Sequence, residues 1–250
     1  MPISLEQAEF NVVWRRAGLA ERPLVLATTE LGGTLEDAAR IDDQAWEALR
    51  ARHLVRSDGT LDADLEAALR TLARPAAALD LRWAPGPGPE VRAMSAVQGG
   101  LGVLAVLVDG TLRLEEVRDT AFVPAMIDVL PDVPPGPGGA VNLPAATVEQ
   151  ATRAGEADYE FESALLDAGV RPNDARLLVD MVGGERIAAG QLGAAVWDRW
   201  GNRRRTPWVI TVTDTDRGRY ALHERDGWVT VAPTDRLRLV ELARDLLDST

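Results

Sequence analysis

The 250-residue sequence contains no cysteine and no lysine, and its only histidines are His53 and His223. Without cysteine there is no disulfide framework, no thiolate nucleophile and no sulfur-ligated metal. Without lysine there is no Schiff-base chemistry, no lysine general base and no phosphate loop of the kind whose signature requires one. Two histidines far apart in the chain fall short of a histidine-based zinc site. No apolar run approaches the roughly 20 residues of a membrane span. The opening Met1-Pro2-Ile3-Ser4-Leu5-Glu6 lacks the basic start and apolar stretch of a secretory signal. The expectation is a soluble, cytoplasmic protein with no membrane insertion. A net charge of −12 argues against nucleic acid, whose binding is dominated by phosphate neutralisation.

What is present suits a folded globule: 46% of the residues are hydrophobic and 26% charged, outside the range of disordered chains. All 27 basic residues are arginine. With abundant Ala, Gly, Val and Pro, this is the mark of a GC-rich coding bias and speaks of ancestry more than mechanism. Along the chain, Ser4 stands as N-cap of a helix over 5–18, with Gln7 completing a capping box and Gly18 as its stop. Residues 24–28 read as a short strand. Thr34 caps a second helix to about Arg52, with Leu35, Ala38, Ala39, Ala45, Trp46 and Leu49 inward, and a third runs over 62–72 before Pro75. The period then changes to two, with Leu79, Leu81 and Trp83 alternating and strands following over 91–97, 101–108 and 112–117. Asp109-Gly110 between two of these runs predicts a two-residue hairpin turn. A short helix over 122–130 follows.

Residues 131–144, rich in proline and glycine, read as an extended linker. The same order then returns. Helices are predicted over 145–155, 157–168 and 172–182, the last with Asn173 as a cap. Strands follow over 189–197, 207–213, 219–224 and 228–232, then a helix over 234–247. Asp226-Gly227 matches Asp109-Gly110, and Val196-Trp197 matches the Leu81 to Trp83 segment. The domain expectation is two α+β halves, 1–130 and 145–250, joined by the linker 131–144 in one integrated globule. Duplication and chance recurrence of a common pattern both account for the repeat. Four-stranded antiparallel meanders with one apolar face need helices over that face or a second sheet at their edge. The fold class is therefore α+β: a central, largely antiparallel sheet flanked by helical bundles in two pseudo-symmetric halves.

The search for chemistry returns little. Gly99-Gly100-x-Gly102 lies between strands and opens no helix, so it reads as a hairpin turn and not as a dinucleotide fingerprint. Gly86 and Gly88 among prolines make a stiff loop. Glu115-Glu116 and Asp214 with Asp216 read as solvated acids, with no sign of a buried carboxylate pair. His223 alternates with Leu222 on a strand as a surface or half-buried residue. No serine sits in a nucleophile elbow. No catalytic, cofactor-binding or metal-ligating residue is assigned. The residues that stand out are cationic and aromatic. Arg203-Arg204-Arg205 is the sharpest local charge in an acidic chain, with Trp200 before it and Trp208 after it. It reads either as a solvated loop or as an interaction patch, since arginine makes bidentate contacts and stacks on aromatic rings. Seven tryptophans stand against three phenylalanines and two tyrosines. Trp14, Trp46 and Trp83 are assigned to cores, and Trp200, in a polar loop, to exposed surface.

The last quarter contains Gly190-Gln191-Leu192-Gly193, the run Arg203 to Trp208, and Asp214-Thr215-Asp216-Arg217-Gly218-Arg219-Tyr220. It resembles the C-terminal signature of the EspG family, cytosolic chaperones of actinobacterial type VII (ESX) secretion. Phe10-x-x-x-Trp14, Gly18-Leu19, Pro23 and Gly33-Thr34 look like the family's opening, and Leu72-Ala73-x-Pro75 with Leu79-Asp80 look like its middle. The resemblance spans essentially the whole chain. It implies a central antiparallel sheet flanked by helical bundles, no enzyme activity and no cofactor. It also implies a client, a PE–PPE-like helical heterodimer whose tip docks against the sheet and the C-terminal helical bundle. On that reading the partner-binding candidates are Gln191, Trp200, Arg203, Arg204, Arg205 and Arg219, with the helix Pro172–Val182, and the loop 84–90 is a second contact element. The free protein is expected to be a monomer. Two other classes stay open: a self-assembling scaffold subunit that pairs through its sheet edges, and an enzyme built on carboxylates.

Overall fold

Twice along the chain an apolar repeat of 3.6 residues gives way to a repeat of two, and twice helices give way to strands. The computed structural model describes residues 2–19, 21–155 and 157–249. Its first pass is β1 (Ile3–Leu5), α1 (Gln7–Arg16), α2 (Leu35–Ala51), α3 (Ala63–Ala73), β2 (Ala77–Ala84), β3 (Val91–Gln98), β4 (Leu101–Val108), β5 (Thr111–Arg118) and α4 (Phe122–Ile127). Its second is β6 (Val141–Pro144), α5 (Ala145–Ala154), α6 (Asp158–Asp167), α7 (Pro172–Val182), β7 (Arg186–Trp197), β8 (Arg203–Arg205), β9 (Ile210–Thr215), β10 (Gly218–Arg225), β11 (Trp228–Pro233) and α8 (Arg236–Asp248). Apart from the three-residue β8, both passes run strand, three helices, four strands, helix. The chain forms two compact units, one of residues 1–82, 89–129 and 194–205, the other of residues 83–88, 130–193 and 206–250.

The first unit orders its strands β1-β5-β4-β3-β2 and also holds β8, paired with the end of β7, and the second orders them β7-β9-β10-β11-β6. In both, the short strand that opens the pass pairs with the last strand of the meander, β1 with β5 and β6 with β11, antiparallel. The turns that predict hairpins form them. Gly99-Gly100, Asp109-Gly110 and Asp226-Gly227 each hold positive φ at both central positions, the conformation whose twist matches antiparallel strands. The fold class is the α+β arrangement expected.

Strand alternation explains how each sheet is covered on two faces. In the first unit Met94 and Ala96 of β3 and Val103, Ala105 and Leu107 of β4 pack with Phe10, Trp46, Leu65, Leu69 and Leu72 from α1, α2 and α3. Their neighbour Ser95 points the other way, and its hydroxyl donates to the Phe122 carbonyl of α4 at 2.7 Å. In the second unit Tyr220, Val229 and Val231 pack with Ala151, Leu165, Leu178 and Met181 from α5, α6 and α7. Trp14, Trp46 and Trp83 are all buried. Phe10 and Trp14, one turn apart, meet edge to face at 5.6 Å.

Several local expectations are corrected. Ser4 does not cap the first helix, because residues 3–5 pair with Leu112, Arg113 and Leu114 as a strand. Glu6 takes the cap position, and its N–H donates to the Glu9 carboxylate at 2.9 Å. Residues 24–26 form a 3-10 turn after Pro23 instead of a strand. Thr34 caps α2 as expected, accepting from the Asp37 N–H. Leu35 and Ala39 of that helix nevertheless face solvent, Leu35 at 92% exposure, and its buried stripe is Ala45, Trp46 and Leu49. Pro172 is the first residue of α7, with Arg171 as cap, which leaves Asn173 inside the first turn.

The Pro/Gly stretch is stitched to the second unit's sheet. The Arg219 N–H donates to the Pro134 carbonyl, the Gly136 N–H donates to the Arg219 carbonyl, and the Tyr220 hydroxyl donates to the Pro137 carbonyl. Gly136 is required there, since a Cβ at this position would stand 2.1 Å from the Tyr220 ring.

Candidate partner-binding surfaces

In the first unit the candidates sit on the hairpin of β7 and β8. Asp198 builds its tip. One carboxylate oxygen accepts from the Trp200 and Asn202 N–H groups at 2.9 and 2.8 Å, and the other accepts from the Asn202 side-chain amide at 2.8 Å. These bonds, the Asn202 side chain first, hold the Asp198 carboxyl below the usual carboxylate range. Gly201 supplies the positive φ that closes the turn. Trp200 is thereby held out at 72% exposure, and the Arg199 guanidinium lies 4.1 Å from its ring centre.

The three arginines follow as β8, opposite Trp197, Val196 and Ala195. Alternation separates them. Arg203 lies over the Trp197 ring at 5.6 Å, and Arg205 grips both oxygens of Asp80 at 2.6 and 2.9 Å. Arg204, between them, points to the opposite side of the strand. The hydrogen bonds that Arg205 donates to the Asp80 carboxylate raise its pKa from the ordinary value. The structure thus brings Trp200, Arg203, Arg204 and Arg205 onto one hairpin and engages Arg205 in an ion pair.

In the second unit Gln191 is exposed on β7, opposite Thr211 of β9. Arg219 is 2% exposed. Its guanidinium takes Asp214 bidentately at 2.6 and 2.9 Å and reaches the Pro131 carbonyl at 2.8 Å, with the Trp83 ring 5.8 Å away. Helix α7 buries Ala175, Leu178 and Met181 and turns Asn173, Arg176, Asp180 and Val182 to solvent. In the loop that opens at Ala84, Gly86 rests on the Ile187 backbone, where a Cβ would stand 2.6 Å from the carbonyl oxygen.

Sequence reasoning passed over the exposed apolar residues of this second unit. Tyr159 and Leu166 on α6, Val182 on α7 and Ile187 at the start of β7 all stand in solvent. The signal for Tyr159 was present in the acidic run Asp158-Tyr159-Glu160, where an aromatic between charges falls off the inward stripe. Among the described residues no group of three or more His, Asp or Glu could hold a metal ion, and no helix is long and apolar enough to cross a membrane.

The sequence model of the EspG family matches residues 6–244. No curated protein sequence shows significant similarity. Among solved structures, the chain is similar to the Mycobacterium tuberculosis type VII secretion system chaperone EspG5, in complex with the PE25–PPE41 dimer. The likeness covers 100% of this chain and 96% of that one, with a TM-score of 0.78 at 17% identity. At that identity it establishes a common fold.

Proposed function

The chain belongs to the EspG family, and from that premise we propose that it is a cytosolic chaperone of type VII secretion. It binds the helical tip of a PE–PPE-like heterodimer, keeps the pair soluble and directs it to the ESX system. The observation that carries this reading is family membership over nearly the whole chain, joined to a fold shared end to end with a chaperone solved on its PE–PPE client. The work is recognition, with no covalent bond made or broken and no cofactor.

Physically, a client with an apolar tip needs a surface that offers apolar patches rimmed by polar groups on a rigid support. In the second unit that surface is the outer face of α7, with Tyr159, Val182 and Ile187, Gln191, and the loop at 84–88. In the first unit it is the β7–β8 hairpin, where Trp200, Arg203 and Arg204 meet the client. Arg205 and Arg219 act from behind, through Asp80 and Asp214.

Co-expression with the helical secreted pair encoded nearby, followed by affinity purification on one partner and light scattering, tests the proposal. A stoichiometric ternary complex is expected. Recovery of the chain alone, under conditions where EspG5 recovers PE25–PPE41, removes the reading.

A further inference from the structure

The tip of the β7–β8 hairpin concentrates positive charge on an acidic molecule. Residues 198–205 hold four arginines against one aspartate, in a chain of net charge −12. Both carboxylate oxygens of that aspartate, Asp198, are used inside the turn, accepting from the Trp200 and Asn202 N–H groups and from the Asn202 amide. Elsewhere in the first unit arginines close on carboxylates: Arg52 on Glu9 at 2.9 Å, Arg82 on Glu90 at 3.1 Å and Arg205 on Asp80 at 2.6 Å. Arg199 and Arg203 do not. Both are exposed, and among the described residues the guanidinium of neither makes a hydrogen bond or an ion pair.

What each has is an indole. Arg199 lies 4.1 Å from the Trp200 ring centre, and Arg203 lies 5.6 Å from that of Trp197. Stacking uses the flat face of a guanidinium, whereas a carboxylate bonds to the N–H groups in its plane, so neither contact excludes the other. The ring also restricts the side chain before a partner arrives, which lessens the entropy lost on binding. The supports are firm: Trp197 packs against the first unit's core, Arg205 ties β8 to Asp80, and Gly201 closes the turn with its positive φ. Trp200, held out in solvent, adds an exposed apolar ring beside Arg199.

Two guanidinium forks with their donors unused suit carboxylates, and the ring suits an apolar side chain near them. An anionic lipid surface offers the same charge, but a leaflet of that sign repels a chain of net charge −12. We propose that this hairpin docks an acidic protein segment, its carboxylates accepting from Arg199 and Arg203 and an apolar side chain among them lying on Trp200. On the chaperone reading, on which this placement rests, the client carries that segment beside its apolar tip.

Seven tryptophans give indole N–H signals in a proton–nitrogen NMR spectrum of the full chain. Trp200→Phe identifies the Trp200 signal, and the buried Trp14 and Trp83 serve as controls. The probes are the capped peptide EELEELE, its uncharged counterpart QQLQQLQ, and vesicles of phosphatidylglycerol in phosphatidylcholine. The acidic peptide is expected to move the Trp200 and Trp197 signals saturably and to leave the controls in place. Raising the salt from about 50 to about 300 mM is expected to weaken that binding, as screening requires. Arg199→Gln/Arg203→Gln is expected to weaken it at least fivefold with an unchanged melting temperature. The glutamine peptide and the vesicles are expected to leave both signals in place. No saturable shift with the acidic peptide, an equal shift with the glutamine peptide, or a double variant that binds like the parent would each overturn the proposal. Vesicles that move the signals where the peptide does not would assign the tip to a lipid surface instead. Recovery of the client complex by a chain that ignores the peptide removes this site and keeps the chaperone reading, and peptide binding without a client complex does the reverse.

Discussion

Arg219 and Asp214 meet across β9 and β10 with side chains only 3% and 4% exposed. Taking two charges out of water costs several kcal/mol per ion, and the bidentate geometry with the Pro131 carbonyl offsets that cost. Arg219→Met strands a carboxylate in the interior and is expected to lower stability by about 3–5 kcal/mol, read by urea denaturation. Pairing it with Asp214→Leu is expected to restore most of the loss. A single variant as stable as the parent would mean that the carboxylate is solvated after all. In the sequence Asp214 and Asp216 look alike, two acids beside a turn, yet one is buried and the other exposed. Alternation tells which residues share a face; it does not tell how deeply helices cover it. His223 carries a second prediction at this scale. Burial, with Arg238 and Arg225 nearby, holds its folded pKa below its ordinary value, so the unfolded chain takes up the proton first as pH falls. The stability it contributes is complete above about pH 6.5 and is lost as pH drops through the folded value. Melting temperature should fall between pH 7 and pH 5, and the fall should shrink in His223→Gln.

At the scale of elements, the β7–β8 hairpin separates structural from interactive roles. Asp198 fixes the turn, Arg205 fixes the hairpin to Asp80 on β2, and Trp200 is left outside. The double variant Trp200→Ala/Arg203→Glu touches exposed groups, so its stability is expected to stay within about 0.5 kcal/mol of the parent. Its affinity for the co-purified client is expected to fall at least tenfold, measured by titration calorimetry. Unchanged affinity would remove this hairpin from the interface. The longer elements were legible because they repeat their pattern over several turns or alternations: α2, α3, α7 and the strands β2 to β5 lie where periodicity puts them. The strands β1, β6 and β8 were missed. Each has three or four residues, too few for a period to show; β1 and β6 exist because a distant strand offers them a ladder, and β8 because the turn at Asp198 folds it back on the end of β7.

For the whole molecule, the strand that closes each meander is short, three residues in β1 and four in β6. Short edges offer little backbone for pairing with another chain. Light scattering after size exclusion is expected to give a monomer at every concentration tested, and growth of mass with concentration would favour the self-assembling scaffold instead. The α+β class, the repeated order of helices and strands and the three glycine-bearing hairpins follow from local signals, since turn residues and apolar periods act over a few residues. The burial of Arg219 on Asp214 and the outward placement of Leu35 and Tyr159 do not follow from them. Each depends on which side chains from far along the chain arrive to cover a face or leave it bare, and only the packed fold brings them there.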